Sequence, residues 1–134
     1  MQINIDPHSD VPLYQQLRDR VVEGIASRRL LPGEQLASVR QLAIAFGINV
    51  ATVSKGYDLL RQEGLIRTNH KSGSVIARGP DSGAPAEGFY DDWLTRLTTL
   101  LAEATAQGLR PAQISESVDR VLREFTRHSE GDRA

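Results

Sequence analysis

The centre of the chain, residues 38–64, reads SVRQLAIAFGINVATVSKGYDLLRQEG and contains two helix-start signals separated by a short turn. Ser38 and Gln41 fit a capping box, in which the serine oxygen accepts a hydrogen bond from the N3 amide and the glutamine side chain reaches back to the N-cap amide. Gly47 suits the left-handed residue that ends a helix, and Asn49 suits the cap of the next helix. Two helices joined by a short turn that contains glycine predict a helix-turn-helix.

The second helix of this pair, predicted over residues 50–63, has one apolar and one polar side. Its apolar residues recur at the spacing of a buried helix face: Val53, Tyr57 and Leu60. The opposite side carries Ala51, Lys55 and Asp58, and the small polar residues Thr52 and Ser54 flank it. Small residues near a helix N-terminus allow base edges and phosphates to come within hydrogen-bonding distance. We therefore expect this helix to enter the major groove of DNA.

A further helix is predicted upstream, over residues 12–27, where apolar residues recur at intervals of three and four. Pro12 suits the first turn of this helix, because its missing N–H is not needed there. Ser9 or Asp10 is the expected cap. The run at residues 31–33, Leu-Pro-Gly, predicts a turn.

Two short β-type runs follow the helix-turn-helix, at residues 65–68 and 74–77. Because of this order, they predict a β-hairpin wing. Its tip, residues 69–73, is basic, and we expect it to reach the adjacent minor groove or the phosphates.

The 134-residue chain has a formal net charge of −1, but its charges are distributed unevenly. Residues 11–79 carry ten Lys and Arg against five Asp and Glu, whereas residues 80–134 carry six against ten. A Gly-, Pro- and Ala-rich stretch at residues 79–88 separates the two parts and is typical of a linker. Such an asymmetry in sign indicates that the basic front part interacts with nucleic acid.

The acidic part, residues 89–128, predicts two amphipathic helices with a break at residues 108–111. The apolar stripe of the first helix consists of Phe89, Trp93, Leu94, Leu97, Leu100, Leu101 and Ala104. The stripe of the second consists of Ile114, Val118, Val121, Leu122 and Phe125. Two such helices cannot bury both stripes by themselves, because a closed helical core needs about three to four such faces. The stripes pack either on a partner chain or back on the front part, and the sequence leaves both open.

Composition and motif content exclude several classes of protein. The absence of cysteine excludes disulfides, thiolate nucleophiles and cysteine-ligated metal sites. His8, His70 and His128 lie in separate segments without a second ligand at metal spacing, so we expect neither a metal nor a cofactor. Phosphate-binding glycine loops and nucleophile elbows are absent, so we expect no enzyme activity. No apolar run suits a membrane span or a signal peptide, so we expect a cytoplasmic protein.

Taken in order, these motifs resemble the winged helix-turn-helix domain of the GntR superfamily of bacterial transcription regulators. The matching runs are PLYQQL at 12–17, LPGEQL at 31–36, SVRQLA at 38–43, FGIN at 46–49, TVSKGY at 52–57, Leu60, EGLI at 63–66 and GS at 73–74. The resemblance covers roughly residues 9–78, and the short remainder resembles the YtrA-type subfamily. It implies a mostly α fold, with three helices and a two-stranded wing followed by a two-helix dimerisation segment at residues 89–128.

The resemblance also implies which residues meet DNA. The arginine of the family's S-x-R-x-L-A motif falls on Arg40, the start of the recognition helix on residues 49–55, and the wing tip on Gly73. Together with the residues derived above, the candidate DNA contacts are Ser38, Arg40, Asn49, Ala51, Thr52, Ser54, Lys55, His70, Lys71, Ser72 and Gly73. The candidate dimer-interface residues are Phe89, Trp93, Leu97, Leu100, Leu101, Val118, Leu122 and Phe125.

These features favour a homodimeric transcription factor, which we expect to be a repressor that binds a palindromic operator in double-stranded DNA. The alternative is a winged-helix protein-interaction module with no DNA role. A third hypothesis is that an unidentified small-molecule effector binds between the two tail helices or at the dimer seam near Trp93.

Overall fold

The computed structural model describes residues 3–69, 71 and 73–133, with side chains to residue 127. Its elements in chain order are α1 (Leu13–Ala26), α2 (Val39–Phe46), α3 (Val50–Gln62), β1 (Ile66–Asn69), β2 (Gly73–Ile76), α4 (Phe89–Ala106) and α5 (Pro111–Arg133). α1 to β2 form a winged helix-turn-helix, and α4 and α5 form a C-terminal helical segment. The predicted mostly α fold is therefore confirmed, although α5 continues beyond the predicted end of the tail at residue 128.

The core of the front half, α1 to β2, lies where α1 packs on α3. Gly56 permits a close approach, because a Cβ atom at this position would lie 3.0 Å from Leu17 Cδ2 and 3.1 Å from the carbonyl oxygen of Tyr14. The side chains that close the core around this contact are fully buried: Leu17, Val21, Val53, Tyr57, Leu60 and Ile76. Burial of each large apolar side chain stabilises the fold by about 1.5–3 kcal/mol. The predicted inward face of α3 is confirmed.

The ends of the helix-turn-helix follow the predicted local signals. Ser38 Oγ accepts a hydrogen bond from the Gln41 amide (3.1 Å), and Gln41 Oε1 accepts one from the Ser38 amide (2.9 Å). Gly47 ends α2 in the left-handed region, with φ 64°. Asn49 Oδ1 caps α3 by accepting a hydrogen bond from the Ala51 amide (2.8 Å). The turn between α2 and α3 is therefore fixed by local hydrogen bonds.

Tyr57 joins α2 and α3 at a second place. Its hydroxyl donates a hydrogen bond of 2.6 Å to the carbonyl oxygen of Ala37, directly before the α2 cap. Burial raises the pKa of Tyr57 from its ordinary value of 10.0 to about 12. The hydroxyl therefore stays protonated near neutral pH and continues to donate.

The start of α1 differs from the prediction. Pro12 is the N-cap rather than a first-turn residue, and no side chain caps the helix, so the predicted side-chain cap is wrong. Ser9 Oγ instead accepts a hydrogen bond from the Val11 amide (3.1 Å), in a turn that precedes the helix. Buried Gln16 holds this segment, because its side chain donates to the carbonyl oxygens of Asp6 and Val11 and accepts from the Asp6 amide.

The wing is an antiparallel hairpin in which Ile66 lies opposite Ile76, with strand bounds one residue from those predicted. The segment before α2 pairs with the other edge of β2. The Leu36 amide donates to the Ser74 carbonyl (2.9 Å), and the Ile76 amide donates to the Glu34 carbonyl (2.9 Å). The sequence predicts only a turn in this region. The base of the wing is therefore held on both sides of β2.

The connection between the two parts, residues 79–88, is more ordered than its composition indicates. Asp81 accepts two hydrogen bonds from Arg28, at 3.1 and 3.2 Å. Arg28 is held in the left-handed region, with φ 61°. Arg78 Nη2 donates to the carbonyl oxygen of Gly83 (2.9 Å). The first half of the connection is therefore folded onto the loop after α1.

The helices α4 and α5 pack on each other and leave much of their apolar surface exposed. No residue of α4 is buried. Late in α5, Glu124 and Phe125 border a cavity of about 280 Å³ that is also lined by Arg20 and Glu23 of α1. Residues 124 and 125 of α5 therefore lie beside α1.

Tyr57→Phe keeps the buried ring and removes the hydrogen bond to Ala37. We expect the free energy of unfolding at pH 7 to fall by about 1 kcal/mol, since a carbonyl loses its donor. Because the pKa of Tyr57 is raised in the folded state, the stabilisation by its protonated form is complete below pH 10.0 and is lost as the pH rises to about 12. Urea unfolding from pH 7 to pH 12 measures both effects.

The exposed tyrosine variant Tyr90→Phe is the control and should behave as wild type throughout. The difference in stability between wild type and Tyr57→Phe should shrink above pH 10.0. A difference that stays constant across this range would contradict the role given to the hydroxyl.

Candidate nucleic-acid interface

The N-terminal turn of α3 presents a small, uncharged surface to solvent. Ala51 is exposed and Val50 is 48% exposed, while Thr52 and Ser54 are half-buried. Asn49 is also exposed, but its side-chain oxygen is bonded to the Ala51 amide. The first turn contains no acidic residue. The predicted outward side of α3 is therefore at least partly exposed to solvent along its first turn.

Lys55 lies one turn further along α3, and its ammonium is 4.0 Å from the centre of the Tyr14 ring in α1. A cation–π contact of this kind contributes about 0.5–1 kcal/mol at an exposed site. It holds the lysine at the junction of α1 and α3. Tyr14 lies outside the predicted set of interface residues, because a contact between two separate helices has no signal in local periodicity.

Arg40 lies in the first turn of α2. Its side chain is exposed and has no hydrogen-bond or ion-pair partner among the described residues. The neighbouring Ser38 is exposed, and its oxygen accepts the Gln41 amide, so its hydroxyl hydrogen is available for donation. Both side chains can donate to a phosphate or to a base edge.

The wing tip carries one described cation, Lys71, which is exposed. The backbone amide of Lys71 donates to Asn69 Oδ1 (2.9 Å), which shapes the start of the tip. Gly73 ends the tip with φ 74°, in the left-handed region that glycine adopts without strain. The predicted contacts His70 and Ser72 lie outside the described residues.

A second wing cation, Arg67, lies outside the predicted set. It is exposed on β1, directly after buried Ile66, and has no partner within the described part of the chain. Successive side chains of a strand point to opposite faces, so a cation directly after the apolar Ile66 is expected on the exposed face. The base of β1 lies against α3, where Arg61 Nη1 donates to Thr68 Oγ1 (3.5 Å).

Internal contacts occupy the other cations of residues 11–79. Four arginines form ion pairs: Arg18 with Glu63, Arg20 with Glu23, Arg28 with Asp81 and Arg61 with Asp58. The others with partners are Arg29 on Ser27, Arg78 on backbone carbonyls and Lys55 on the Tyr14 ring. Among the described residues of this stretch, the cations without a partner are Arg40, Arg67 and Lys71. The free positive charge therefore lies at the start of α2 and on the wing.

The Arg18 ion pair illustrates how such charges are used within the fold. Burial by itself lowers the pKa of Arg18, but hydrogen bonds to Glu63 and Asp19 outweigh it and the pKa is raised. Arg18 Nη2 lies 2.7 Å from Glu63 Oε1, so the pair ties α1 to the end of α3. This guanidinium is therefore committed to the fold.

The predicted dimer-interface residues divide into two groups by exposure. The exposed residues are Phe89, Trp93, Leu100, Val118 and Leu122. The half-buried residues are Leu97, Leu101 and Phe125. The Trp93 ring lies 5.9 Å from that of Tyr90, which is also exposed. Grouped exposed aromatic and aliphatic side chains are typical of a protein–protein interface.

The described residues contain no group of three or more histidine, aspartate or glutamate side chains that could hold a metal ion. Within the same residues, no helix combines the length and the apolar character needed to cross a membrane.

Known proteins share both the sequence and the fold. The family model described as "Bacterial regulatory proteins, gntR family" matches residues 13–76. The HTH-type transcriptional repressor YtrA of Bacillus subtilis is 31% identical over 119 residues, which cover 89% of this chain and 91% of that protein.

Two solved structures are similar over most of their lengths. A transcriptional antiterminator from Listeria monocytogenes superimposes with a TM-score of 0.84 at 25% identity, over 93% of this chain and 92% of that one. YtrA from Sulfolobus acidocaldarius, a GntR-family transcription factor, superimposes with a TM-score of 0.59 at 34% identity, over 75% of this chain and 97% of that one. The chain belongs to the GntR family of DNA-binding transcriptional regulators.

Proposed function

We propose that this protein is a repressor that binds an inverted-repeat operator as a homodimer. The observation that carries the proposal is the location of the unpaired cations: Arg40 lies on α2 and Arg67 and Lys71 lie on the wing, and both α2 and β1 of the wing contact α3. Cations on α2 and on the wing can neutralise phosphates while the first turn of α3 meets base edges. The B. subtilis relative is named a repressor, which supports repression rather than activation.

The proposed contact set follows from exposure and donor chemistry. Cationic groups for phosphates and guanines come from the unpaired Arg40, Arg67 and Lys71, and from the exposed Lys55, whose ammonium also contacts the Tyr14 ring. Smaller donors and backbone approach come from Ser38, Asn49, Ala51, Thr52, Ser54 and Gly73. Arginine donates two parallel hydrogen bonds to guanine O6 and N7, so Arg40 is the strongest candidate for reading a base.

The homodimer is supported by the exposed apolar residues of α4 and α5. Two helices leave these stripes uncovered, and a second copy supplies the missing helix faces with the same chemistry. A two-fold dimer presents two copies of α3 to DNA. It therefore matches an operator whose half-sites are inverted and lie one helical turn, or a multiple of one, apart.

Arg40→Ala should weaken binding to an operator selected from a random pool of double-stranded DNA. We expect a loss of about 1–3 kcal/mol per half-site, the range for one bidentate contact to guanine. Fluorescence anisotropy at fixed salt measures the dissociation constant. Arg96→Ala, which removes an exposed arginine of α4, is the matched control and should bind as wild type. Unchanged operator affinity in a folded Arg40→Ala variant would remove Arg40 from the interface.

Lys71→Ala tests the wing by its effect on salt dependence. The logarithm of the binding constant falls with the logarithm of salt concentration by about 0.9 per phosphate neutralised, so the variant should lose about one unit of slope per half-site. Titrations at several salt concentrations give this slope. An unchanged slope in Lys71→Ala would place the wing away from the phosphates. If the wild-type protein shows no salt-dependent binding to DNA, the protein-interaction alternative is favoured.

Leu122→Glu tests the dimer. A carboxylate on the exposed apolar stripe of α5 should shift the protein from dimer to monomer, because burying an unpaired charge between two copies costs much free energy. Sedimentation velocity measures the change. Arg120→Glu also introduces a carboxylate into α5, but on its opposite side, and should leave the dimer intact. A Leu122→Glu variant that sediments as wild type would exclude this stripe from the interface.

A further inference from the structure

Two apolar side chains form the tip of α3. Val50 is the first helical residue and is 48% exposed, and Ala51 is the second and is exposed. Side chains in a helix lean towards its N-terminus, so those of the first two residues project beyond the helix end. A half-exposed valine gains little from burial, and valine is a weaker helix former than alanine. Val50 therefore contributes little to the fold at this position.

The polar groups at this tip are donors. Asn49 Oδ1 is turned back onto the Ala51 amide at 2.8 Å, which leaves the side-chain NH2 group of Asn49 free to donate. No acidic residue lies in the first turn. The amino groups of adenine and cytosine, which are donors in the major groove, would meet no carboxylate here. The tip instead combines one amide donor with two methyl-bearing side chains.

Thymine presents the complementary pattern, because in the major groove it offers the O4 acceptor beside the C5-methyl group. We propose that Val50 and Ala51 recognise the C5-methyl group of a thymine in each operator half-site, with Asn49 donating to O4 of the same base. The inference rests on the proposed function, since it requires α3 to lie in the major groove. It makes the tip of α3 a specificity determinant that reads a methyl group rather than a hydrogen-bond pattern alone.

The experiment removes single methyl groups from the DNA. Deoxyuridine replaces thymidine, one symmetric pair of positions at a time, in an operator selected from a random pool of double-stranded DNA. Uracil keeps O4 and base pairing, so only the methyl contact changes. The dissociation constants of the full-length protein for the two DNAs give a uracil-to-thymine ratio. Burial of one methyl group corresponds to about fourfold, so we expect a ratio of about 15 for the pair of half-sites.

Substitutions of Val50 and Ala51 should lower this uracil-to-thymine ratio at one symmetric pair of thymines. Val50→Thr keeps the shape of the side chain and replaces a methyl by a hydroxyl. We expect the uracil-to-thymine ratio to fall below about 4, the value if only one of the two half-sites kept its methyl contact. The double variant Val50→Thr with Ala51→Ser should bring it close to 1. Val11→Thr is the matched control, because Val11 is a valine of the front half with a similar exposure of 42%. It should keep the wild-type ratio.

Each outcome decides the proposal. The inference would be overturned by a uracil-to-thymine ratio near 1 at every thymine pair of the operator for the wild-type protein. It would also be overturned if the selected half-sites contained no thymine. In both cases salt-dependent binding to the operator would still uphold the proposed function. A ratio that persists in the double variant would place methyl recognition elsewhere and also overturn it. A protein that enriches no sequence from the pool would overturn the proposed function itself. Urea unfolding of each variant establishes that the compared proteins are folded.

Discussion

The close packing of α1 on α3 at Gly56 is the contact on which the front half depends. Any side chain at this position would place its Cβ about 3.1 Å from the carbonyl oxygen of Tyr14, so the two helices would have to shift apart by a few tenths of an ångström. This shift would disturb the hydrogen bond from Tyr57 to Ala37, which holds the start of α2. It would also draw the Tyr14 ring away from Lys55. One missing side chain thus sets the positions of α2 and of the exposed side of α3.

Most of the helix-turn-helix could be predicted because its determinants act over a few residues. The cap at Ser38, the left-handed Gly47 and the cap at Asn49 are local hydrogen-bonding or backbone signals, and the structure confirms all three. The clamp by Gln16 and the strand pairing of residues 34–36 join groups that are distant in the chain. Hydrophobic periodicity carries no signal for such contacts. The sequence therefore predicts a side-chain cap before α1 and only a turn at residues 31–33.

The candidate interface was also predictable only where it depends on local sequence signals. Exposure of the polar side of α3 follows from helical periodicity, so Ala51 lies where it was expected. Which cations remain free depends instead on long-range ion pairs. Arg18 meets a carboxylate 45 residues away, and Arg28 meets one 53 residues away. A formal charge count assigns all ten cations of residues 11–79 to the interface, whereas the folded chain leaves only a few of them available.

The ordered connection between the two parts shortens the tether that joins them. As a flexible chain, the ten residues 79–88 would have a root-mean-square reach of about 17 Å. The hydrogen bonds from Arg28 to Asp81 and from Arg78 to the carbonyls of Gly83 and Ala84 remove the first six residues from that length. Four residues remain, and even as a freely flexible chain they would reach only about 11 Å. The Phe89 amide also donates to the carbonyl oxygen of Ala86 (3.1 Å), which restricts them further. The volume that the start of α4 can sweep around the front half therefore falls to roughly a quarter of that available to a free linker, since volume scales as the cube of reach.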